Sequence, residues 1–415
     1  MQKGEHLVII GCGGVGGPAA MLSRKLMPDI NITVIREEDR FIVRRALPHV
    51  VAGLAPGESI VNPDTMFANN NIEMVVNRVD AVDVDKKQLR LADGRDLPYD
   101  KLVLGMGSKP FIPPIEGADL EGVFTLRSLV DAERIRDYMD KRQPVKLVFV
   151  GAGFISLEVA ALVKDMQDRN FEVDIIELME QPLPLMLDPE MGASIHEYLV
   201  DNGFRMHMGR KVEQVVGEKG QVTGVKLDSG ETVPADMVFM NVGARPCLEL
   251  TENMGLEMGQ FGVKVNSFLE TSNPDIMAAG DCIDNWHLIT KKPTGTQLRG
   301  PAVIQGRLMA KRLAGYDIPF PGLLGASAVK LFDKYIAATG FSEAQAAKEG
   351  FDPVCATVQS GSKHAMIPGM KPWTIKLVFD RASQRLIGGQ IISDSDSPVK
   401  EIDTVNALIV GGQTI

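Results

Sequence analysis

Residues 6–16 read HLVIIGCGGVG and residues 147–158 read LVFVGAGFISLE, and these two stretches decide the fold. Each is an apolar strand running into a glycine-rich turn: Gly11-x-Gly13-x-x-Gly16 in the first, Gly151-x-Gly153-x-x-Ser156 in the second. The first glycine of such a fingerprint permits a tight strand-to-helix turn, and the second lets a pyrophosphate approach the backbone. The third lets the helix pack on the strand, and the helix N-terminus then faces the phosphates. One match is a weak signal. Two, each following a strand, point to two dinucleotides bound by one chain, and two bound dinucleotides point to electrons moving between them.

Each copy is expected to carry an acid about 20 residues on, at the end of its next strand, to bind the adenosine ribose. In the second copy the strand FEVDIIE ends on Glu177. A carboxylate there accepts hydrogen bonds from a free 2′-hydroxyl and repels a 2′-phosphate, which predicts NADH over NADPH. In the first copy NITVI is followed by Arg36, Glu37 and Glu38. Arg36 stands where the acid is expected, and Glu37, one step later, is assigned to the ribose.

A length of 415 residues implies two or three domains, and 45% hydrophobic with 24% charged residues implies an ordinary globular core. The formal net charge of −10 argues against nucleic acid and anionic membrane as partners. No apolar run reaches the ~18 residues of a transmembrane helix, and the apolar stretch after Lys3 reads as a fingerprint strand rather than a signal peptide. Cys12, Cys247, Cys282 and Cys355 are far apart and form no C-x-x-C, which fits a reducing cytoplasm. The scattered histidines form no H-E-x-x-H, so no metal site is expected.

Along the chain, the first unit holds the first fingerprint, a hairpin-like stretch at Val79–Leu91 and the strand KLVLGMGSKP. KPFIPPIEG reads as a linker. The second unit opens with the amphipathic helix SLVDAERIRDYMD, carries the second fingerprint and ends in MVFMNVG. TSNPDIMAAGDC, a short strand with an aspartate at its end, and the helix PAVIQGRLMAKRLAG then return to something like the first unit. After PFPGLLG the texture alternates as strands (SAVKLF, YIAATGF, WTIKLVFD, RLIGGQIIS) and closes on a helical DTVNALIV. The expected fold is α/β: two Rossmann-like dinucleotide-binding domains, one discontinuous (1–115 with 243–318) and one continuous (116–242), plus an α+β unit at 319–415.

This order of motifs resembles the flavin- and pyridine-nucleotide-dependent disulfide reductase superfamily, in particular its NADH oxidase, coenzyme A-disulfide reductase and persulfide reductase branch. The resemblance spans nearly the whole chain. It rests on the two fingerprints, GMGS with Gly107, NVGARP with Gly243, AAGDC, TLRSLVDAERI, PLPLMLDPEM, LLGASAVKLFD and KPWTIKLVFD. It implies FAD in the first domain, NADH in the second and a C-terminal homodimer interface. Carried over residue by residue, it places Gly11, Gly13 and Gly16 on the FAD pyrophosphate and Asp281 on the flavin ribityl or pyrophosphate region. It places Gly151, Gly153 and Glu177 on NAD, Glu158 near the nicotinamide, and the loop from Leu298 to Gly300 near the flavin ring. Cys247 and Cys282 fall in motif neighbourhoods but not at redox positions.

The sequence departs from that branch where its single catalytic cysteine belongs, in a context like C-G-x-P-Y. Here the stretch is RFIVRRALPHVVAG, and aligning Leu47-Pro48 with the family's x-P puts Arg45 at the cysteine's position. No cysteine lies between Cys12 and Cys247, and Met366 and Ile367 stand where the family has tyrosines. The family's interface domain also continues beyond a segment like DTVNALIVGGQTI. Without a thiolate there is no mixed disulfide and no sulfenic acid. What remains is hydride transfer from NADH to flavin and release of electrons to an acceptor, with Arg45 as a flavin-proximal positive charge in a stretch rich in arginine (Arg24, Lys25, Arg36, Arg40, Arg44).

Three readings compete. The first is a cysteine-free, FAD-dependent NADH oxidoreductase with Arg45 and Glu158 as its catalytic residues. Its acceptor is an iron–sulfur protein, a partner subunit, a quinone, dioxygen or a small sulfur compound. The second is a coenzyme A-disulfide or persulfide reductase working by a cysteine-free route. The third is an NADH-responsive flavoprotein sensor or scaffold.

Overall fold

Runs of β-branched and aliphatic residues too continuous for one exposed face, such as LVII and LVFV, become central strands covered on both sides. In the computed structural model, which describes residues 1–414, the chain forms two units. The first comprises 1–43, 61–109 and 244–323; the second comprises 44–60, 110–243 and 324–415, of which Ile415 lies outside the described residues.

The first unit is built on a parallel five-stranded sheet in the order Ile276–Ala278, Lys101–Leu104, His6–Ile10, Asn31–Arg36, Glu73–Val76. Leu7, Val8 and Ile9 in its central strand are fully buried. The helix Gly16–Leu26 follows the first fingerprint and packs against Arg299–Leu313. The expected hairpin at Val79–Leu91 is present as Val79–Asp83 and Gln88–Leu91, extended by Asp96–Pro98 into a three-stranded antiparallel sheet.

The second unit repeats this plan. Its parallel sheet runs Val123–Phe124, Met237–Met240, Lys146–Val150, Glu172–Glu177, Phe204–Met208. The amphipathic helix expected after the linker is Leu129–Arg142, and its start is set by a reciprocal cap. Ser128 Oγ accepts from the Asp131 N–H (3.1 Å), and Asp131 Oδ2 accepts from the Ser128 N–H (2.8 Å). The alternating C-terminal segment forms an antiparallel sheet in the order Ser327–Leu331, Lys334–Gly340, Leu386–Ser393, Pro372–Asp380, Pro353–Gly361, with the helix Glu401–Val410 packed on it. No helix among the described residues is long and apolar enough to cross a membrane.

The division of the chain differs from the sequence reading in two respects. The α+β segment expected as a third unit from 319 on groups with the second unit, as 324–415. Residues 44–60, expected with the first fingerprint, group with the second unit. The cause is packing: the helix Leu47–Val51 buries Leu47, Val50 and Val51 and lies against Leu129–Arg142 and Phe154–Lys164. Boundaries expected near 115, 242 and 318 fall at 109, 243 and 323.

Candidate active site

The two glycine loops are the same device built twice. Gly11 takes φ +94° and Gly151 φ +95°, a region open to glycine and strained for other residues. A side chain at Gly11 would run into the Gly105 carbonyl oxygen, and one at Gly151 into the Asn241 carbonyl oxygen. Both oxygens lie just past the strand that flanks the fingerprint strand, and the hydrogen bonds match too. The Gly11 N–H donates to Ile35 O and the Gly151 N–H to Ile176 O, each at 2.7 Å. The copies differ at the third position. Gly16 is pressed against the Gly11 carbonyl, whereas Ser156 is buried and carries a side chain.

Both loops fit a pyrophosphate. A side chain at Gly153 would meet nothing within 4 Å, so the backbone beside the helix Phe154–Lys164 is open to a ligand. In the first unit Gly13 is half-buried in the turn, and a Cβ at Gly14 would lie 3.2 Å from Ala302 Cβ and 3.7 Å from Arg299 Cγ. The loop that opens Gly16–Leu26 therefore lies beside the first turn of Arg299–Leu313, and helix N-termini favour a phosphate. Leu298 precedes the second of these helices, and Gly300 in its first turn borders open space.

Asp281 lines a cavity of about 250 Å³ with Ala244, Phe261, Thr294, Thr296 and Gln297, room for part of an extended cofactor. Its Oδ2 accepts from Ser108 Oγ at 2.7 Å. The turn before it is held from the helix Arg299–Leu313: Gln305 Oε1 accepts from the Gly280 N–H (2.8 Å), and Gln305 Nε2 donates to Asn285 Oδ1 (2.7 Å). Ser108, Asn285 and Gln305 were not singled out in the sequence. Ser108 is legible as the serine of GMGS; the other two meet only through long-range packing. Gly107 O accepts from the Cys247 N–H in the first unit, and Gly243 O accepts from the Phe111 N–H in the second.

Glu177 ends its strand as expected, and its carboxylate is fixed on both sides. Oε2 accepts from the Ala152 N–H (2.6 Å) and Oε1 from the Met179 N–H (2.9 Å). NADH is therefore expected to exceed NADPH in kcat/KM, and Glu177→Ala to narrow the gap by roughly tenfold or more, since a like charge beside a 2′-phosphate costs at least about 1.4 kcal/mol. Steady-state kinetics with both nucleotides checks this; a wild-type preference for NADPH contradicts it. In the first copy Glu37 is exposed beyond its strand, free to reach a ribose. Arg36 is buried and turned to Asp64, with Nη1 and Nη2 at 2.5 and 2.6 Å from the two carboxylate oxygens.

Arg45 and Glu158 come together within the second unit. Arg45, in the turn Arg44–Ala46, places Nη2 3.5 Å from Glu158 Oε1 and 3.5 Å from the Ala328 carbonyl oxygen. Half of the Arg45 side chain is exposed, while Glu158 is 9% exposed. Burial pushes the Glu158 carboxyl above its ordinary range, against the pull of the Arg45 and His49 charges. The arginine-rich stretch does not act as one patch. Arg24 is spent on the carbonyls of Pro28, Ile30, Asn70 and Asn71, and Arg44 and Arg45 belong to the other unit. Met366 and Ile367 are exposed.

None of the four cysteines is in a disulfide, and Cys12 and Cys282 are buried. Burial drives the Cys282 thiol up to about 11. Burial and a hydrogen bond to Glu343 drive Cys355 up to about 12. Both shifts oppose thiolate chemistry.

Two glycine-rich strand–turn–helix loops, a cavity lined by the AAGD aspartate and a C-terminal antiparallel unit are the parts of an oxidoreductase that uses two dinucleotides. The chain belongs to the pyridine nucleotide-disulphide oxidoreductase family, whose model matches residues 5–305, with the family's dimerisation domain at 326–414. It is accordingly an oxidoreductase of the class that uses FAD and a nicotinamide dinucleotide. It is 32% identical to an NADH oxidase of Methanocaldococcus jannaschii over 97% of this chain and 90% of that protein. It is likewise 32% identical to the CoA-dependent NAD(P)H sulfur oxidoreductase of Pyrococcus abyssi, over 99% of this chain and 92% of that one. The solved NAD-dependent persulfide reductase from A. fulgidus superposes with a TM-score of 0.94 at 30% identity, covering 99% of this chain and 77% of that chain.

Proposed function

We propose that this protein is a homodimeric, NADH-dependent FAD oxidoreductase that passes electrons to its acceptor without a redox-active cysteine. The observation that carries the reading is the Arg45–Glu158 pair at the sequence position where the family keeps its thiol. Bound FAD and NADH supply the chemistry, in which a hydride passes from nicotinamide to flavin and two electrons then leave to the acceptor. The chain's residues bind and orient. Gly11, Gly13 and Gly16 with Asp281 and Glu37 hold FAD; Gly107, Leu298 and Gly300 border it. Gly151, Gly153 and Glu177 hold NADH, with Gly243 at the end of the flanking strand. Arg45 holds Glu158 Oε1 and so favours its carboxylate form, and the exposed half of its guanidinium remains available to an anion.

Stopped-flow mixing with NADH tests the reading. Flavin absorbance is expected to bleach within the first turnover and to recover only when a competent acceptor is added. The acceptors to screen are an iron–sulfur protein, a quinone, dioxygen and low-molecular-weight sulfur compounds. Slow bleaching to a persistent charge-transfer band would instead favour a sensor. Coenzyme A persulfide or disulfide reduction is the second reading, supported by the activity of the Pyrococcus relative; recovery with those substrates alone would select it.

A further inference from the structure

Lys376 and Gln390 lie on neighbouring strands of the C-terminal sheet, far along the chain from the second glycine loop, and both are almost wholly buried. Their partner is Asp188, which precedes the helix Pro189–Asp201 but does not cap it with its side chain. The Gln390 amide grips Asp188 at two points. Its Oε1 accepts from the Asp188 N–H (2.8 Å), and its Nε2 donates to Asp188 Oδ2 (2.6 Å). Lys376 Nζ sits 3.0 Å from the same carboxylate and also bonds Glu190 and Glu343. The ammonium thus fills the one group of three carboxylates among the described residues that has cation-site spacing. The Glu343 and Ala344 N–H groups complete the set around Asp188 at 3.1 and 3.4 Å.

Asp188 is also the far end of a strap that begins at Glu177. Between them, the Leu183 N–H donates to the Ala152 carbonyl (3.0 Å), and Gln181 Nε2 donates to the Leu187 carbonyl (2.8 Å). Leu183 is buried and holds φ +51°, a conformation that a leucine keeps only when its surroundings enforce it. Both backbone groups of Ala152, the residue between Gly151 and Gly153, are therefore bonded by the 177–183 segment: its N–H by Glu177 and its carbonyl by Leu183. Gln345 adds a second tie from the C-terminal region to the strap, at the Leu185 carbonyl (3.4 Å).

We propose that Lys376 and Gln390 are positioning residues for NADH: by clamping Asp188 they tension the 178–187 strap and so hold Glu177 and the Gly151–Gly153 loop in the shape that takes the dinucleotide. The inference rests on the reading that this loop binds NADH. Glu177 and Met179 stay tied to the neighbouring strand through the Arg210 and Gly209 N–H groups, but without the clamp the strap beyond Met179 would rest on Leu183 and Gln345 alone, and nucleotide binding would then have to order it.

The test measures NAD⁺ affinity by calorimetry and amide hydrogen exchange over 151–153 and 178–188, on the FAD-loaded protein. Lys376→Met is expected to weaken NAD⁺ about tenfold, within the usual range of coupling between distinct sites. It should also speed exchange in the strap and raise KM for NADH more than it lowers kcat, and Lys376→Arg should recover most of the loss. Asp188→Asn, which keeps the shape and removes the charge, should act in the same direction and serves if Lys376→Met does not fold. Unchanged affinity and unchanged exchange in a folded clamp variant overturn the proposal. Gly153→Glu separates this from failure of the underlying reading. A Cβ at that position meets no neighbour, and the glutamate places a carboxylate beside the loop where the pyrophosphate is proposed to bind, so it should abolish NAD⁺ binding. If it does not, the loop is not the nucleotide site.

Discussion

Alanine at Gly16 is expected to leave the purified protein with little or no FAD. A Cβ there would collide with the Gly11 carbonyl oxygen, and lie 3.0 Å from the Gly11 carbonyl carbon and 3.1 Å from Ile9 Cγ2. Backbone atoms in a turn fixed by the Gly11–Ile35 hydrogen bond cannot step aside as a flexible side-chain tip can. Relief requires the helix Gly16–Leu26 to lift from the strand His6–Ile10, which moves the N–H groups that face the phosphates. The cost to the first unit should be roughly 3 kcal/mol or more, the regime of a forced backbone shift. Flavin absorbance per chain and thermal unfolding measure it, and a fully yellow Gly16→Ala protein of unchanged stability refutes the packing argument. The matching change in the second copy, Ser156→Gly, should cost only about 0.5–1 kcal/mol, the entropy of a glycine inside a helix.

That contrast shows what the sequence carries and what it does not. Both fingerprints were legible because each glycine answers to a local demand: a positive φ, a carbonyl close by, a helix start. The turn around Gly11 is announced by its own glycines, although the Ile35 and Gly105 carbonyls complete it. The same holds for the helix Leu129–Arg142, whose Ser128 and Asp131 announce its start. The strand Pro353–Gly361 gave no such signal. It lies at the edge of its sheet with a run of exposed residues, so no alternation marks it. Nor could the sequence show that residues 44–60 pack with the second unit. Leu47, Val50 and Val51 read as apolar, but their partners lie on helices many residues away.

The site divides along the same line. Glu177 ends its strand, and Asp281 lies in the turn Gly280–Cys282 just past the strand Ile276–Ala278, each inside a recognisable motif. The choice between Arg36 and Glu37 could not be made locally, because it is Asp64 that draws the arginine aside. The grip of Lys376 and Gln390 on Asp188 joins three stretches distant in sequence. Lysine and glutamine within strands give no hint of such a role, since in most strands they face solvent. The resemblance of the LP step at Leu47-Pro48 to the family's motif is what singled out Arg45; its pairing with a buried Glu158 required coordinates.

The proposed cysteine-free route leads to the prediction that most separates this chain from a thiol-dependent reductase. Reductive titration is expected to end at two electrons per FAD, with no further pair taken up by a cysteine centre, and alkylation should leave NADH-to-dye electron transfer nearly intact. Each cysteine is poorly suited to replace the missing one. Cys282 is buried with its thiol near 11, Cys355 is held near 12 against Glu343, and Cys12 is packed inside the first glycine loop. Cys247 is half-buried beside the Gly107 strand, bonded through its N–H to the Gly107 carbonyl. Arginine brings a different capacity. A guanidinium is a cation with a planar fork of donors, so it can bond an anion where a neutral thiol cannot. Its effect on Glu158 has a definite sign: the nearby cation favours the carboxylate, so removing it raises the pKa of a group that burial has already raised. Arg45→Ala should therefore move the acid limb of the NADH-reduction pH profile upward, and slow reoxidation by anionic acceptors more than by neutral ones. Arg45→Lys should recover the pH effect in part, since it restores the charge but not the planar fork. A titration that consumes four electrons per FAD, or turnover lost on alkylation while the protein stays folded, would mean that one of these cysteines carries electrons after all.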